Sequence, residues 1–400
     1  MTRSATPSPR QRWCVAALSL ALAGPVLSAD LFVTAKYTPS SLTNEFENTT
    51  QHSGHCAIYP QVCGGQTLSF DLPIRYEKEA VVGQGPEADR WGLQTPAARV
   101  LTVVSDKGDV EHLDLSFVYV NQMILNGGSG LPLGTSGRVL GGCTYSAGEF
   151  SEDFSDIMFV WKISNPQSPE RCYEPTTEDP TELRRGIVHE FSAAYRLTTP
   201  NPLRMKAGTY RGSTTYTVGE SGDFALGPRV TNLNTSAVTL DFELEVQHAL
   251  ALEFPANSER LVLEPPGSWE AWLGGGPAPA KLIREVPFRI TNSGPLGIYM
   301  TCEHEVAGSC AIANERNGEQ APLNVLLTLP DLITESGLPV RKRSIPVGEA
   351  AAIELDVVTP AVNQSGSLLF ETAPGVTVDM VKNAGDRYVG TVTVVFDAEL

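Results

Sequence analysis

Apolar and polar residues alternate over short stretches along most of the chain, and Gly, Pro and Asn separate these stretches. A period of two with many β-branched and aromatic residues is typical of antiparallel strands. Long stretches with the 3.6-residue apolar repeat of a helix are missing from the sequence. The pattern therefore predicts an all-β protein, with strands that include 31–37, 100–104, 113–120, 157–163, 238–246, 286–290, 297–302, 323–329 and 352–357.

Two similar stretches, 207–218 and 384–396, divide the chain into two parts. When Tyr210 is aligned with Tyr388, the glycines at 212 and 390 coincide and apolar residues follow at matched positions. A repeat at this distance predicts two successive β-domains of similar build. Two domains also fit a length of 400 residues. The stretch 219–228, which contains three glycines and a proline, is the predicted linker between them.

The first 29 residues have the features of a secretory signal peptide. Three arginines precede an apolar run over 15–22, and Ala29 ends a plausible cleavage site. No later stretch reaches the ~18 uninterrupted apolar residues of a membrane-spanning helix. We therefore expect export, a mature chain that starts at Asp30, and no direct membrane insertion.

The charge of the chain narrows the classes of partner. The sequence has 29 Lys and Arg against 46 Asp and Glu, and removal of the three signal arginines leaves 26 − 46 = −20. A surface of this charge repels nucleic acid and anionic lipid. We expect neither as a partner.

Six cysteines lie outside the predicted signal peptide, and an even number in an exported chain indicates disulfides. Closeness in sequence favours the pairs Cys56–Cys63, Cys143–Cys172 and Cys302–Cys310. The alternative is a zinc site in which His52 and His55 join the first cysteine pair, but this spacing matches no familiar zinc module. We expect no metal and no cofactor.

The domains are predicted at 30–230 and 238–400, each as an immunoglobulin-like β-sandwich. The second ends on a strand with one face formed by Tyr388, Gly390, Val392, Val394 and Phe396. Since only four residues follow, we expect no later strand to cover the groove beside it. An open groove exposes apolar side chains and unpaired backbone groups, so a strand from another chain is predicted to complete this sandwich. The alternative is a closed sandwich whose last strand is an ordinary edge.

This layout resembles the two-domain tip adhesins of bacterial chaperone–usher pili, and the alternate chaperone–usher class is the predicted subclass. The resemblance extends over the mature chain in architecture, and in sequence it is concentrated at 388–396. It implies a receptor-binding first domain and an incomplete pilin-type second domain. The sequence departs from many pilins at Glu399, where tyrosine is common, and in the short spacing between Cys302 and Cys310.

The resemblance also implies partners and a location. A periplasmic chaperone lends a strand to the second domain, and the N-terminal extension of an adjacent pilin subunit later replaces it. An outer-membrane usher passes the chain to the cell surface, where it forms the tip of the fimbrium. The receptor is expected to be a glycan on a host surface.

Familiar catalytic signatures are missing from the sequence. It contains no HExxH motif, no Gly-x-Ser-x-Gly motif and no P-loop lysine in its Gly-rich stretches. A protein that is not an enzyme is therefore expected. A secreted β-rich hydrolase with an accessory sandwich, and a self-contained periplasmic or outer-membrane scaffold, are the alternatives.

A glycan site combines an aromatic face with polar side chains that bond to hydroxyl groups. Asp89, Arg90 and Trp91 form the best local match, and Asn121, just beyond a strand, is a further candidate. The alternative for Trp91 is a packing role.

Arg184 and Arg185 form a second candidate site, because guanidinium groups suit the carboxylate of an anionic sugar. The alternative is that they pair with nearby acidic residues at the end of a short helical turn. The sequence predicts that turn between Asp179 and Gly186.

Overall fold

The computed structural model describes residues 30–39, 44–63, 67–126, 138–152, 155–175, 181–382 and 385–398. The predicted signal peptide (1–29), Asp179 and Glu399 lie outside them. Helices within the described residues are short: α1 His55–Ile58, α2 Pro60–Cys63, α3 Glu270–Leu273 and α4 Val376–Met380. None of them is long and apolar enough to cross a membrane.

Strands dominate, and they separate into two groups that share no sheet. The first group is β1 Asp30–Tyr37, β2 Glu47–Asn48, β3 Leu68–Leu72, β4 Tyr76–Val82, β5 Gly92–Leu93, β6 Arg99–Ser105, β7 Val110–Asn126, β8 Leu140–Gly141, β9 Cys143–Phe150, β10 Asp156–Ile163, β11 Cys172–Tyr173, β12 Glu182–Thr198, β13 Gly208–Gly219, β14 Phe224–Ala225, β15 Val230–Thr231 and β16 Ala237–Val246. The second group is β17 Leu250–Glu253, β18 Ile283–Asn292, β19 Leu296–Cys302, β20 His304–Val306, β21 Ser309–Asn314, β22 Gln320–Thr328, β23 Ile333–Glu335, β24 Leu338–Pro339, β25 Arg343–Ser344, β26 Ile353–Val357, β27 Ala361–Thr372, β28 Tyr388–Val389 and β29 Val392–Asp397. The predicted all-β sandwich class is confirmed.

One large sheet organises the first group. Its main path runs β15-β4-β12-β7-β6-β13-β16-β1-β2, with β3 paired to β12 and β10 paired to β7 and β9. The inward residues form one apolar core, in which the rings of Phe117, Tyr216 and Phe224 lie 5.3–6.0 Å apart. Burial of these aromatic side chains and of the aliphatic residues around them stabilises this group.

The structure changes two assignments near the predicted linker. Strand β16, which the sequence placed in the second domain, pairs with β13 and, in parallel, with β1 of the first group. The predicted linker 219–228 is part of the same group, because Phe224 and Leu226 are buried in its core. The change from one group of strands to the other therefore falls between Val246 and Leu250.

The short connection between β16 and β17 is held on both sides. The His248 ring donates from Nε2 to the Met205 carbonyl oxygen at 2.7 Å and lies 5.8 Å from the Tyr37 ring. On the other side, the Ala249 N–H donates to Ser293 Oγ at 2.9 Å. A side chain on Gly294 would lie 2.4 Å from the His248 ring, so this close approach requires glycine. The connection is packed rather than a loose tether.

The second group forms two sheets around a separate core. The larger has the path β17-β18-β27-β22-β21-β20, and the smaller has the order β24-β23-β26-β19-β29. Inward residues such as Ile290, Ile298 and Val325 are fully buried between them. In the smaller sheet β29 has β19 as its neighbour and stands at the edge.

The two copies of the predicted repeat occupy different positions. The first copy is β13, which lies between β6 and β16 with Tyr210, Tyr216 and Val218 buried. The second copy is split at Gly390 into β28, which pairs with β21, and β29, which pairs with β19. A side chain at Gly390 would approach the Ala311 carbonyl oxygen to 2.9 Å. The repeat predicts a strand in both places but not its surroundings.

Two of the predicted disulfides are confirmed: Cys143–Cys172, which joins β9 to β11, and Cys302–Cys310, which joins β19 to β21. Cys56 is also disulfide-bonded. The side chain of Cys63 lies outside the described residues, so its pairing with Cys56 stays a prediction.

Candidate binding sites

A cavity of about 310 Å³ lies on the face of the large sheet opposite to the aromatic core. Two rows of directly paired residues form its floor. One row runs Asp71–Ser192–Asn121 across β3, β12 and β7. The other runs Glu190–Met123–Met158–Glu149 across β12, β7, β10 and β9. Because paired residues share a face of a sheet, these side chains converge although they are far apart in sequence.

The segment from Gly54 to Tyr59, which includes α1, also lines the cavity. Gly54 has a φ of 74°, and a Cβ atom there would lie 2.7 Å from Ser192 Cβ. Only glycine combines this left-handed conformation with so close an approach. The residue therefore allows His55 to reach the buried polar groups of the floor.

Those polar groups form a directed network. Asn121 Nδ2 donates to the Phe159 carbonyl oxygen at 2.9 Å, which leaves Oδ1 to accept from Ser192 Oγ–H at 3.3 Å. Ser192 Oγ therefore accepts from His55 Nδ1–H, 2.9 Å away. His55 Nε2 is then unprotonated, and it has no hydrogen-bond partner among the described residues.

Burial determines the charge of His55. The side chain is 3% exposed, and burial, with a smaller contribution from the charge of His52, lowers the pKa of His55 to about 4. The ring is therefore neutral at pH 7. His55 therefore contributes an uncharged ring to the lining of the cavity.

Carboxylates surround the rest of the cavity: Asp71, Glu149, Asp156 and Glu190. Burial, followed by the charge of Glu190, raises the pKa of Asp71, and the Gly54 N–H opposes this shift. Tyr59 donates its hydroxyl to Glu149 Oε2 at 2.6 Å, and this bond raises the pKa of Tyr59 to about 12. The described residues contain no set of three ligating side chains suited to a metal ion.

Of the predicted receptor-binding residues, Asn121 lines this cavity. Trp91 is 1% exposed, donates from Nε1 to Gln122 Oε1 at 3.2 Å and stacks on the Tyr76 ring. It therefore has no free face for a sugar, and the alternative packing role describes its position. Arg90 is also buried and donates to the Gly85 carbonyl oxygen.

Asp89, Arg184 and Arg185 each have an acidic or basic partner. Asp89 pairs with Arg229 at 3.1 Å, Arg184 pairs with Glu182, and Arg185 Nε donates to Glu77 Oε2 at 2.8 Å. The two arginines lie on β12 and not at the end of a helix, because β12 pairs with β4 through this stretch. The predicted helical turn is wrong for residues 182–186.

The second candidate site is the edge of β29. This strand pairs with β19 over its whole length, and its other side has no partner strand among the described residues. Val392, Val394 and Phe396 pack on the core but are only partly buried. The structure therefore places this part of the predicted donor-strand surface at a half-covered edge.

The facing edge belongs to β18 in the larger sheet. Over Arg284–Phe288 this strand pairs with β27 alone among the described strands, because β17 covers only its last part. The Phe288 ring lies 5.7 Å from Phe396 and 5.3 Å from Phe254, which is 43% exposed. A partly buried apolar strip thus lies between the edges of the two sheets, and we call it the β29 groove.

No family model matches the chain, and no curated protein matches it. Among solved structures it is similar to a chain of a chaperone–tip adhesin complex of CFA/I fimbriae, at 11% identity and a TM-score of 0.26, over 93% of this chain and 96% of that one. It is also similar to a chain of the CsuC–CsuE chaperone–tip adhesion subunit complex of archaic Csu pili from Acinetobacter baumannii, at 11% identity and a TM-score of 0.22, over 92% and 98%. Likeness this distant shows neither the family nor the function of this chain.

The neutral state of His55 makes the stability of the protein depend on pH. An unfolded histidine takes up a proton near pH 6.5, whereas His55 does so only near pH 4. The contribution of neutral His55 to the free energy of unfolding is therefore fully present above pH 6.5. It is lost as the pH is lowered from 6.5 towards 4, by up to about 3 kcal/mol. Urea unfolding at pH 7, 5.5 and 4 measures this loss.

The raised pKa of Asp71 has the opposite effect, because it favours the folded state as the pH is lowered. The contribution of His55 is therefore measured by comparing the pH dependence of variants. His55→Gln should remove the histidine-dependent loss, while His112→Gln, at an exposed position, should keep it. Equal pH dependence in the wild type and His55→Gln would contradict the assignment.

Proposed function

We propose that this chain is the tip adhesin of a chaperone–usher pilus. Its second group of strands takes a strand from another chain in the β29 groove, and its first group binds a receptor in the cavity. The half-covered edge of β29 carries the proposal. The protein acts by binding and not by catalysis.

An added strand would provide the two things that the groove lacks, which are backbone partners and cover for apolar side chains. Its backbone would pair with the free side of β29, and its alternate side chains would cover Val392, Val394 and Phe396. Each of these side chains is already partly buried, so its complete burial contributes about 1 kcal/mol. Backbone pairing adds to this because the edge groups exchange their bonds to water for bonds in a sheet.

The donors follow from the resemblance to tip adhesins. A periplasmic chaperone supplies the first strand, and an adjacent pilin subunit replaces it during assembly by the outer-membrane usher. The chain is then exported through the periplasm to the fimbrium tip. A glycan on a host surface is the proposed receptor class.

The arrangement of Ser192 and His55 favours binding over hydrolysis. A nucleophilic serine needs an unprotonated ring nitrogen that accepts its proton. Here Nδ1 carries the proton and donates to Ser192, whose own hydroxyl is directed to Asn121. The pair therefore holds the floor of the cavity together.

A strand fused in cis tests the groove. We would add after Leu400 a flexible Gly/Ser linker of about ten residues and a strand of about ten residues that alternates Val and Thr. At a local concentration about 1,000 times the dissociation constant, the strand contributes ~4 kcal/mol. For a region of this size the melting temperature should rise by roughly 8–16 °C.

The control is the same fusion with Asp in place of every Val, which should leave the melting temperature unchanged. A second comparison places Val394→Asp in the fused protein, where the gain should disappear. If the Val/Thr fusion melts together with the unfused chain, the groove does not accept a strand, and the scaffold alternative becomes the better assignment.

A further inference from the structure

The cavity beside His55 presents acceptors for hydrogen bonds and negative charge. Among the described residues that line the cavity, no Lys or Arg accompanies its four carboxylates. An anionic sugar would be repelled here. Arg184 and Arg185, the sequence-based candidates for such a sugar, lie outside the lining and have acidic partners.

A second observation also indicates a ligand that donates. His55 is 97% buried, its ring lines the cavity, and its unprotonated Nε2 has no partner among the described residues. A buried acceptor without a donor is unfavourable, and a bound N–H or O–H group removes this penalty. The negative charge of the lining and the unpartnered His55 Nε2 therefore each indicate a ligand that donates hydrogen bonds.

The position of Asp71 and Glu190 distinguishes a cation from a neutral donor. Both side chains line the cavity, and the charge of Glu190 adds to burial in disfavouring the ionised form of Asp71. A positive group between them relieves this repulsion and makes charge-assisted hydrogen bonds. Neutral hydroxyl groups would relieve it less.

Size and lining favour a sugar over a simple amine. The volume of about 310 Å³ suits a small ring-shaped ligand, and Ile58, Met123 and Met158 provide apolar surface for its C–H groups. A lysine side chain or a linear diamine brings few donors, whereas a hexosamine brings one ammonium group and several hydroxyl groups. The acceptors lie on several sides of the cavity, so they match the many donors of a hexosamine better than the few donors of a linear amine.

We infer that the cavity binds an amino sugar with a free ammonium group. Asp71 and Glu190 hold the ammonium group, and His55 and the remaining carboxylates accept from the hydroxyl groups. The inference rests on the proposed receptor-binding role and gives that role a ligand class.

Calorimetric titration of the full mature chain tests this. The probes are glucosamine oligomers, the same oligomers fully N-acetylated, and cadaverine. Glucosamine oligomers should bind at least about tenfold more tightly than either comparison ligand, since acetylation removes the charge and cadaverine lacks the hydroxyl groups. If the acetylated oligomer bound as tightly as the glucosamine oligomer, the ammonium group would not be required. If cadaverine bound as tightly, the assignment of a sugar as the ligand would be overturned.

Matched variants separate the cavity from general attraction to an acidic protein. Asp71→Asn and Glu190→Gln should each weaken binding by roughly tenfold or more, because each removes a charged acceptor. Glu253→Gln, an exposed position on β17 with the same change in charge, should leave binding unchanged. Equal weakening by Glu190→Gln and Glu253→Gln would show diffuse electrostatic binding and overturn the site.

The melting temperature of each variant verifies that it is folded. The fused-strand experiment reports on the groove alone. A positive fusion result without glucosamine binding would overturn this inference and leave the pilus assignment standing, and the reverse result would overturn the pilus assignment alone.

Discussion

Trp91→Ala is expected to lower the free energy of unfolding by about 3–5 kcal/mol, because the substitution removes a large side chain from a packed core. The indole ring is 1% exposed and stacks on Tyr76, with its N–H bound to Gln122. Its loss leaves a cavity and an unpaired amide oxygen. Urea unfolding monitored by circular dichroism measures the change.

Two further variants separate packing from receptor contact. Trp91→Phe keeps much of the ring and should have a smaller effect, while Arg185→Ala, at a half-exposed pair with Glu77, should change stability by less than about 1 kcal/mol. Glucosamine binding by the folded Trp91→Phe protein should equal that of the wild type. Loss of binding with unchanged stability would instead restore Trp91 as a receptor contact.

Removal of the Cys143–Cys172 disulfide is expected to destabilise the protein by about 3–4 kcal/mol. The bond closes a loop with a sequence separation of 29, and loss of a cross-link of this span increases the entropy of the unfolded chain. Strand β9, which begins at Cys143, also carries Glu149 of the cavity. The double variant Cys143→Ala/Cys172→Ala should therefore lose both stability and affinity for glucosamine oligomers.

The matched control is Cys302→Ala/Cys310→Ala. Its loop has a sequence separation of only 8, and it joins strands of the second group, so glucosamine affinity should be preserved. If both double variants bind the ligand as the wild type does, the first disulfide has no part in holding the cavity wall.

Much of the fold was predictable because a period of two is a local property. Stretches such as 157–163 and 286–290 follow the alternation, and the structure forms β10 and β18 there. The same alternation does not specify which sheet a strand joins, so β16 was assigned to the wrong side of the boundary. The helical turn at 182–186 failed because long pairing of β12 with β4 and β7 overrides local cap signals.

The cavity was largely hidden from the sequence for a related reason. Its residues stand at single alternate positions on several strands, and only the pairing register brings them together. Asn121 was identified by its polar character beside an apolar strand. Ser192, a lone hydroxyl between Phe191 and Ala193, carries the same kind of signal, whereas nothing local marks His55 or Asp71 as its neighbours.

The groove was predicted in outline because alternate apolar residues at the end of the second copy require cover. The sequence could not show that β13 has a paired strand on both sides, whereas β29 has one on a single side among the described strands. The difference arises from long-range pairing, which the repeat does not encode. The partly buried strip that runs from Phe254 over Phe288 to Phe396 is thus visible only in the folded chain.

The packed connection at His248 has a mechanical consequence. Tension on the second group of strands reaches the first group through the C-terminal end of β16. That strand lies between β13 and β1, paired over 237–246 and 239–246 respectively, so a pull along its axis loads both ladders in shear. Many hydrogen bonds must then break together rather than one after another. The junction therefore withstands a larger pulling force than a hairpin that opens from its end.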